Sequence, residues 1–138
     1  MLGAEAFYDA YIGPTLTGHL SRRFEEQCRS FFALQVRSGA LKGIRNIGTY
    51  YYDDPKARKN GEFDVALETA HGYDLYEVKY LAEPMGLDEI HRELGQIREI
   101  GDLKVDRVGF ISINGFAERE EGPIYYEGED LYRPSAAI

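Results

Sequence analysis

Three chemically active side chains lie in two neighbouring segments, 61–67 and 73–80, whose alternating polar and apolar residues predict β-strands. The first segment carries Asp64, and the second carries Glu77 and Lys79. Carboxylates are hard oxygen ligands suited to Mg²⁺, which is usually held by one or two of them together with substrate phosphate. A lysine beside such an ion can position the attacking water and neutralise charge in the transition state. These residue types predict metal-dependent hydrolysis of a phosphodiester.

The turn between the two strands decides whether the three side chains meet. Because successive side chains of a strand point to opposite faces, Glu77 and Lys79 point together. A two-residue turn at 70–71 would pair Asp64 with Glu77. A two-residue turn at 71–72 would instead pair Asp64 with Lys79. Either register gathers the three side chains on one face of the sheet, whereas a three-residue loop would turn Asp64 to the other face. The apolar alternate positions are expected on the face opposite Asp64: Phe63, Val65 and Leu67.

A helix predicted over residues 16–36 supplies a further carboxylate. Its apolar residues recur at spacings of three and four and form one stripe: Leu20, Phe24, Cys28, Phe31 and Phe32. On a helical wheel Glu25 lies on the shoulder of this stripe, whereas Glu26 lies towards solvent. We therefore expect Glu25 to face the sheet. The alternative is that it stays at the helix edge and pairs with Arg22 or Arg29.

A second long helix is predicted over residues 87–100, directly after the strand that carries Lys79. Its buried stripe comprises Leu87, Ile90, Leu94, Ile97 and Ile100. Acidic residues at 88 and 89 favour its N-terminus, and Gly101 favours its end. Gln96 lies on the flank of the stripe, where it is either a polar contact for the site or a solvated side chain.

The order of the elements predicts the fold class. The predicted elements are helices at 4–11, 16–36 and 87–100, strands at 46–52, 61–67, 73–80 and 107–114, and a closing extended segment or short helical turn at 124–132. From the long helix onward this order, α, β, β, β, α, β, predicts an α/β fold with a mixed central sheet and helices on both faces. With 138 residues and neither repeats nor a linker, the chain is expected to form one domain, 1–138.

The composition is that of an ordinary globular protein, with 43% hydrophobic and 29% charged residues. No apolar run is long enough to span a membrane and no signal-peptide pattern is present, so we expect a cytoplasmic protein without a membrane partner. The single Cys28 cannot form an internal disulfide, and with three scattered histidines it offers no zinc site.

The net charge of −8 argues against nucleic-acid binding, because phosphate contacts usually come from clustered Lys and Arg. The basic residues are nevertheless grouped: Arg22, Arg23 and Arg29; Lys56, Arg58 and Lys59; Arg92 and Arg98. Bound metal ions would also offset the carboxylates of the site. DNA is therefore kept as the predicted substrate. The basic run from Lys56 to Lys59 is either a phosphate contact or a solubilising loop.

The strand motif resembles the PD-(D/E)XK, or restriction-endonuclease-like, superfamily, in which an Asp stands on one strand and Glu-x-Lys on the next. Here these residues are Asp64 and Glu77-Val78-Lys79. The resemblance implies that Asp64, Glu77 and the carbonyl of Val78 hold Mg²⁺ or Mn²⁺. It also implies that Lys79 positions the attacking water for hydrolysis of DNA.

The same resemblance implies secondary site residues and a restriction-endonuclease-like mixed sheet. In the superfamily a helix before the first strand commonly contributes a Glu, and Glu25 is the candidate. A helix after the Glu-x-Lys strand often carries a Gln or Lys that orients water or phosphate, and Gln96 is the candidate by position. Both residues are added to the predicted catalytic set.

A narrower resemblance is to the C-terminal domain of a family of archaeal and bacterial AAA-type ATPases. It is carried by the two strand motifs together with Phe7-Tyr8-x-x-Tyr11-Ile12-x-Pro14 and Phe24-Glu25-x-x-Cys28. In that family a P-loop ATPase and a winged-helix domain precede this one, and the chain itself contains no G-x-x-x-x-G-K-[ST]. The resemblance implies an ATPase domain as partner in cis or in trans. The chain is either an excised domain or a free-standing protein.

Two other functions stay open on the sequence. The domain can be a catalytically inactive interaction or dimerisation module of an ATPase, for which the tyrosine runs at 50–52 and 125–126 would supply contacts. It can also be a junction-resolving homodimer, for which the length of the chain is suitable.

Overall fold

A five-stranded mixed sheet organises the part of the chain that the computed structural model describes, residues 13–54, 59–100 and 103–132. In chain order the elements are α1 (Gly13–Ser38), β1 (Ile44–Asp54), β2 (Lys59–Thr69), β3 (Tyr73–Lys79), α2 (Leu87–Arg98), β4 (Val105–Ser112), β5 (Ile124–Glu127) and α3 (Gly128–Tyr132). The expected helix at 4–11 and the basic residues Lys56 and Arg58 lie outside the described residues. The other predicted elements are present, and the ends of those predicted up to residue 114 differ by at most three residues.

The five strands lie side by side in their order along the chain. β1, β2 and β3 are antiparallel neighbours, whereas β3, β4 and β5 are parallel neighbours. The parallel step from β3 to β4 needs a crossover, and α2 provides it. The expected α/β class with a mixed sheet is confirmed.

The helices α1 and α2 cover opposite faces of the sheet. The α1 stripe of Phe24, Cys28 and Phe32 packs against one set of strand residues: Val65, Leu67, Tyr76, Val78 and Ile111. The α2 residues Ile90 and Ile97 pack against the alternate set: Phe63, Ala66, Leu75 and Phe110. Each fully buried phenylalanine contributes ~1.5–3 kcal/mol to folding, so both layers are held mainly by apolar burial. Leu20, expected in the α1 stripe, is instead 38% exposed.

A β-bulge interrupts β2 beside the candidate site. Gly48 pairs with Ala66, but two residues further along β1 Tyr50 pairs with Phe63, so β2 has one residue more than β1 across this step. Such a bulge ends regular alternation. Phe63 consequently packs on the α2 face, whereas Val65 packs on the α1 face. The expectation that Phe63, Val65 and Leu67 share one face was wrong, because it assumed an unbroken strand.

The β2–β3 turn fixes the register that the sequence left open. Glu68 pairs with Tyr73, and the Thr69 amide donates to the Gly72 carbonyl at 2.8 Å, so the turn residues are 70–71. The amides of His71 and Gly72 donate to the Thr69 hydroxyl at 3.2 and 3.1 Å. A side chain at Gly72 would place its Cβ 2.3 Å from the Lys104 carbonyl oxygen, so the close approach of these segments requires glycine.

Among the described helices, none combines the length and the apolar character that crossing a membrane requires.

Candidate active site on strands β2 and β3

Asp64 stands where β2 and β3 part. The last paired residues of the two strands are Val65 and Tyr76, and continued pairing would have set Asp64 opposite Glu77. Instead Asp64 Oδ2 accepts a hydrogen bond from the Val78 amide at 3.0 Å. A side-chain carboxylate thus replaces a main-chain contact between the strands.

The main chain of Asp64 is also fixed from α1 and β1. Its carbonyl oxygen accepts hydrogen bonds from Arg29 Nη1 at 3.1 Å and from Thr49 Oγ1 at 3.3 Å. Thr49 is the β1 residue that faces the bulge. The carboxylate is therefore positioned by three neighbouring elements, and only 9% of Asp64 is exposed.

Glu77 and Lys79 point to the α2 face. Their neighbours along β3, Tyr76 and Val78, pack under α1, so the alternate positions face the other layer. Glu77 is buried, with 8% exposed, whereas the Lys79 side chain is 28% exposed. Lys79 Nζ lies 3.4 Å from Oε1 of Glu93 on α2.

Burial and mutual repulsion disfavour the charged forms of the two strand carboxylates. Burial raises the pKa of Glu77 to about 8, the charges of Asp64, Glu93 and Glu62 add to this, and Lys79 opposes it. Burial likewise raises the pKa of Asp64 to about 6, although the Val78 amide stabilises its charged form. Both burial and the neighbouring carboxylates therefore disfavour two bare negative charges here, and a bound proton or a cation would relieve this.

Glu25 contributes to this field from α1. It is partly buried and Glu26 is exposed, which is the orientation expected from the helical wheel. Burial raises the pKa of Glu25, the charge of Glu62 adds to the rise, and Arg29 and Arg22 oppose it. The charge of Glu25 in turn raises the pKa of Asp64, so the two carboxylates lie within electrostatic reach.

Gln96 is exposed, and the residue of α2 that reaches Lys79 is Glu93. Sequence reasoning missed Glu93, which is 9% exposed, because it searched the helix flank for a polar contact. A signal was present: Glu93 lies three residues after Ile90 and four before Ile97, within the buried stripe. A charged residue in such a position requires a partner.

Ser112 is a second polar residue that the sequence did not single out. It pairs in register with Lys79, so it shares the α2 face, and it is fully buried. Its hydroxyl has no hydrogen-bond partner among the described residues. No sequence pattern distinguishes it from the apolar residues of β4 around it.

The donor groups fit a hard cation coordinated through few protein ligands. The Lys79 carbonyl accepts from the Ile113 amide at 3.2 Å on the β4 side, and successive carbonyls of a strand alternate in direction. The Val78 carbonyl therefore points to the β2 side, where Asp64 binds its amide. In the described part of the chain, His, Cys, Asp and Glu form no group of three arranged to hold an ion. Mg²⁺ needs fewer carboxylates, since it usually keeps several waters.

Comparison with known proteins gave no match. No family model, curated protein or solved structure is similar to this chain at a significant level. A functional assignment therefore depends on the geometry of Asp64, Glu77, Val78 and Lys79 and on the sequence motif that they form.

Proposed function

We propose that the chain is a restriction-endonuclease-like domain that hydrolyses DNA phosphodiesters with Mg²⁺ or Mn²⁺. The observation that carries the proposal is the hydrogen bond from the Val78 amide to Asp64 Oδ2 at 3.0 Å. It brings a buried carboxylate to the strand that bears Glu77 and Lys79. The order of α1, three antiparallel strands, α2 and a parallel β4 also supports this fold.

The proposed roles follow from the position of each group. Asp64, Glu77 and the Val78 carbonyl would hold the cation, which when bound would supply a Lewis acid for the phosphate oxygens. Lys79 orients the attacking water and stabilises the negative charge of the transition state. Glu25 has a secondary role, since it adds negative charge near Asp64. The proposal includes an ATPase domain as partner and a cytoplasmic location.

The second candidate is a non-catalytic interaction or dimerisation module. It is favoured by Tyr51, which is 72% exposed on β1, a strand at the edge of the described sheet. Tyr132 is likewise 62% exposed. Large exposed aromatic side chains are typical of protein interfaces, including those of homodimers that act on two DNA strands.

Cleavage of DNA tests the two candidates. We expect the wild-type chain to nick supercoiled plasmid and to cut single-stranded DNA with Mn²⁺ or Mg²⁺, and Asp64→Asn, Glu77→Gln and Lys79→Ala to abolish this. Glu26→Gln is the matched control, because Glu26 is exposed on α1. If the wild type cuts no DNA with either ion and neither ion raises its melting temperature, the interaction module replaces the nuclease.

A further inference from the structure

We infer that Glu93 is a positioning residue that holds the Lys79 ammonium in place for hydrolysis, an inference that rests on the proposed function. The two groups approach within 3.4 Å, and the Glu93 side chain is only 11% exposed. α2 would thus act in the site through Glu93 and not through Gln96.

Stability alone does not explain a carboxylate at this place in α2. Glu93 lies in the buried stripe between Ile90 and Ile97, which both pack on the sheet. An apolar residue of similar size there would bury its surface without the desolvation of a charge. Replacing both partners of a buried ion pair by apolar residues is often neutral or stabilising, so such a pair is weak evidence of a stabilising role. The carboxylate is therefore better explained by what it does to Lys79.

The flexible stem of lysine makes a partner useful. A lysine side chain carries ~2 kcal/mol of rotamer entropy, so an unrestrained ammonium would spend much of its time in solvent. The exposed fraction of Lys79, 28%, shows that water can reach it. Glu93 lies on α2, the helix that covers the Lys79 face of β3, and its carboxylate restrains the ammonium between the strand and the helix.

Glu93 also affects which carboxylate the ammonium neutralises. Glu77 is two residues from Lys79 on the same face of β3, and the charge of Lys79 acts on it. An ammonium bound to Glu93 leaves the Glu77 oxygens available to a cation. The negative charge of Glu93 also acts on Glu77 directly, so its presence strengthens the attraction for a positive ion at the site.

Two measurements on Glu93→Gln test the inference. The first is the rate of acylation of Lys79 by an amine-reactive ester, read by mass spectrometry without metal and normalised to exposed Lys42. Loss of the ion pair should raise the Lys79 rate several-fold. The second is plasmid cleavage with Mn²⁺, for which we expect kcat to fall by roughly 10–100-fold, the usual effect of removing a group that orients a ligand or catalytic residue. KM for DNA should stay unchanged.

Two controls separate positioning from folding. Glu83→Gln makes the same change at an exposed residue before α2 and should behave as the wild type in both measurements. Glu93→Met keeps the apolar packing of the stripe, and the Lys79 side chain, which is 28% exposed, can stay hydrated without its partner. The variant should therefore melt close to the wild-type temperature while losing kcat like Glu93→Gln. A loss of kcat that appears only in variants with a lower melting temperature would overturn the inference.

The outcomes distinguish this inference from the proposed function. If the wild type cleaves DNA and Glu93→Gln matches it in kcat, or if Lys79 is acylated at the same rate in both, the inference is overturned and the nuclease stands. If the wild type does not cleave DNA, the proposed function fails and the catalytic role of Glu93 fails with it. The acylation rates would then still report whether Glu93 holds Lys79.

Discussion

At the scale of single residues, the site depends on how Asp64 is held. Its carboxylate binds the Val78 amide, and its carbonyl is bound by Arg29 and Thr49. A group fixed at both ends loses little entropy when it binds a ligand, which is the usual advantage of a preorganised site. The cost is electrostatic, since Asp64 and Glu77 are both buried and repel each other, and the positive charge of Lys79 offsets this only in part.

That cost predicts how stability depends on pH. The pKa values of Asp64 and Glu77, raised from 3.8 and 4.5 to about 6 and about 8, mean that the folded state binds protons more tightly than the unfolded chain. Proton binding therefore stabilises the fold at low pH, and this stabilisation is lost as pH rises through 6 and 8. Urea unfolding without metal should give a lower free energy of unfolding at about pH 9 than at about pH 5.

Glu77→Gln should flatten this dependence, because the neutral amide has no proton to lose. Glu26→Gln is the control and should keep the wild-type slope. A metal-free free energy of unfolding that rises steadily from about pH 5 to about pH 9 would contradict the burial of the two strand carboxylates.

At the scale of elements, periodicity predicted the helices and strands, and irregular features escaped it. The α2 stripe and the strand alternation follow from apolar spacing, so the sheet and its two helical layers were predictable. The bulge at Asp64 was not, because an extra residue leaves no mark in a pattern that is only seven residues long. Glu93 was missed because the role of a charged residue within an apolar helix stripe depends on its ion-pair partner. That partner, Lys79, lies on another element, and the spacing within the helix does not reveal it.

The turn between β2 and β3 shows why the strand register could not be read from the local sequence. Three turns were compatible with the sequence, two of two residues and one of three. Thr69 stabilises the turn at 70–71, since its hydroxyl accepts hydrogen bonds from the amides of His71 and Gly72 and lies 3.0 Å from Asp106 Oδ2. These contacts join the turn to the start of β4. The register that positions Asp64 thus depends partly on a residue far along the chain.

Thr69→Ala should lower the free energy of unfolding by about 0.5–1.5 kcal/mol, because two turn amides that are exposed or partly buried lose their protein acceptor. Thr69→Ser keeps the hydroxyl and should lose much less. Urea unfolding measures both variants, and amide hydrogen exchange at residues 71–72 should accelerate in the alanine variant. Equal stability of the two variants would show that the hydroxyl does not stabilise the turn.

At the scale of the whole molecule, the net charge of −8 and the proposed substrate oppose each other. Part of the negative charge belongs to the site itself, where Glu25, Asp64, Glu77 and Glu93 lie within electrostatic reach of a neighbour. A divalent cation would lower this charge at the place where the phosphate of the proposed substrate would approach. Exposed arginines of both long helices add positive charge: Arg22, Arg23, Arg92 and Arg98.

Metal binding should therefore reverse the effect of the site carboxylates on stability. Without metal, Asp64→Asn and Glu77→Gln should be at least as stable as the wild type near pH 8, because repulsion is relieved. With Mg²⁺ at a hundredfold excess over its dissociation constant, the wild type should gain ~2.7 kcal/mol and both variants should lose most of that gain. Thermal melting with and without Mg²⁺ measures this, and identical shifts in all three proteins would contradict a metal site at these residues.

The extra residue in β2 also separates what the fold needs from what the chemistry needs. The paired residues on either side of the bulge are Gly48 with Ala66 and Tyr50 with Phe63. Removing one residue between Phe63 and Ala66 would bring both pairs into a single regular register, so the sheet would tolerate the shorter chain. The carboxylate that reaches the Val78 amide would be lost or displaced. A length difference of one residue at this point would thus distinguish a relative that keeps only the architecture from one that also keeps the carboxylate beside Val78.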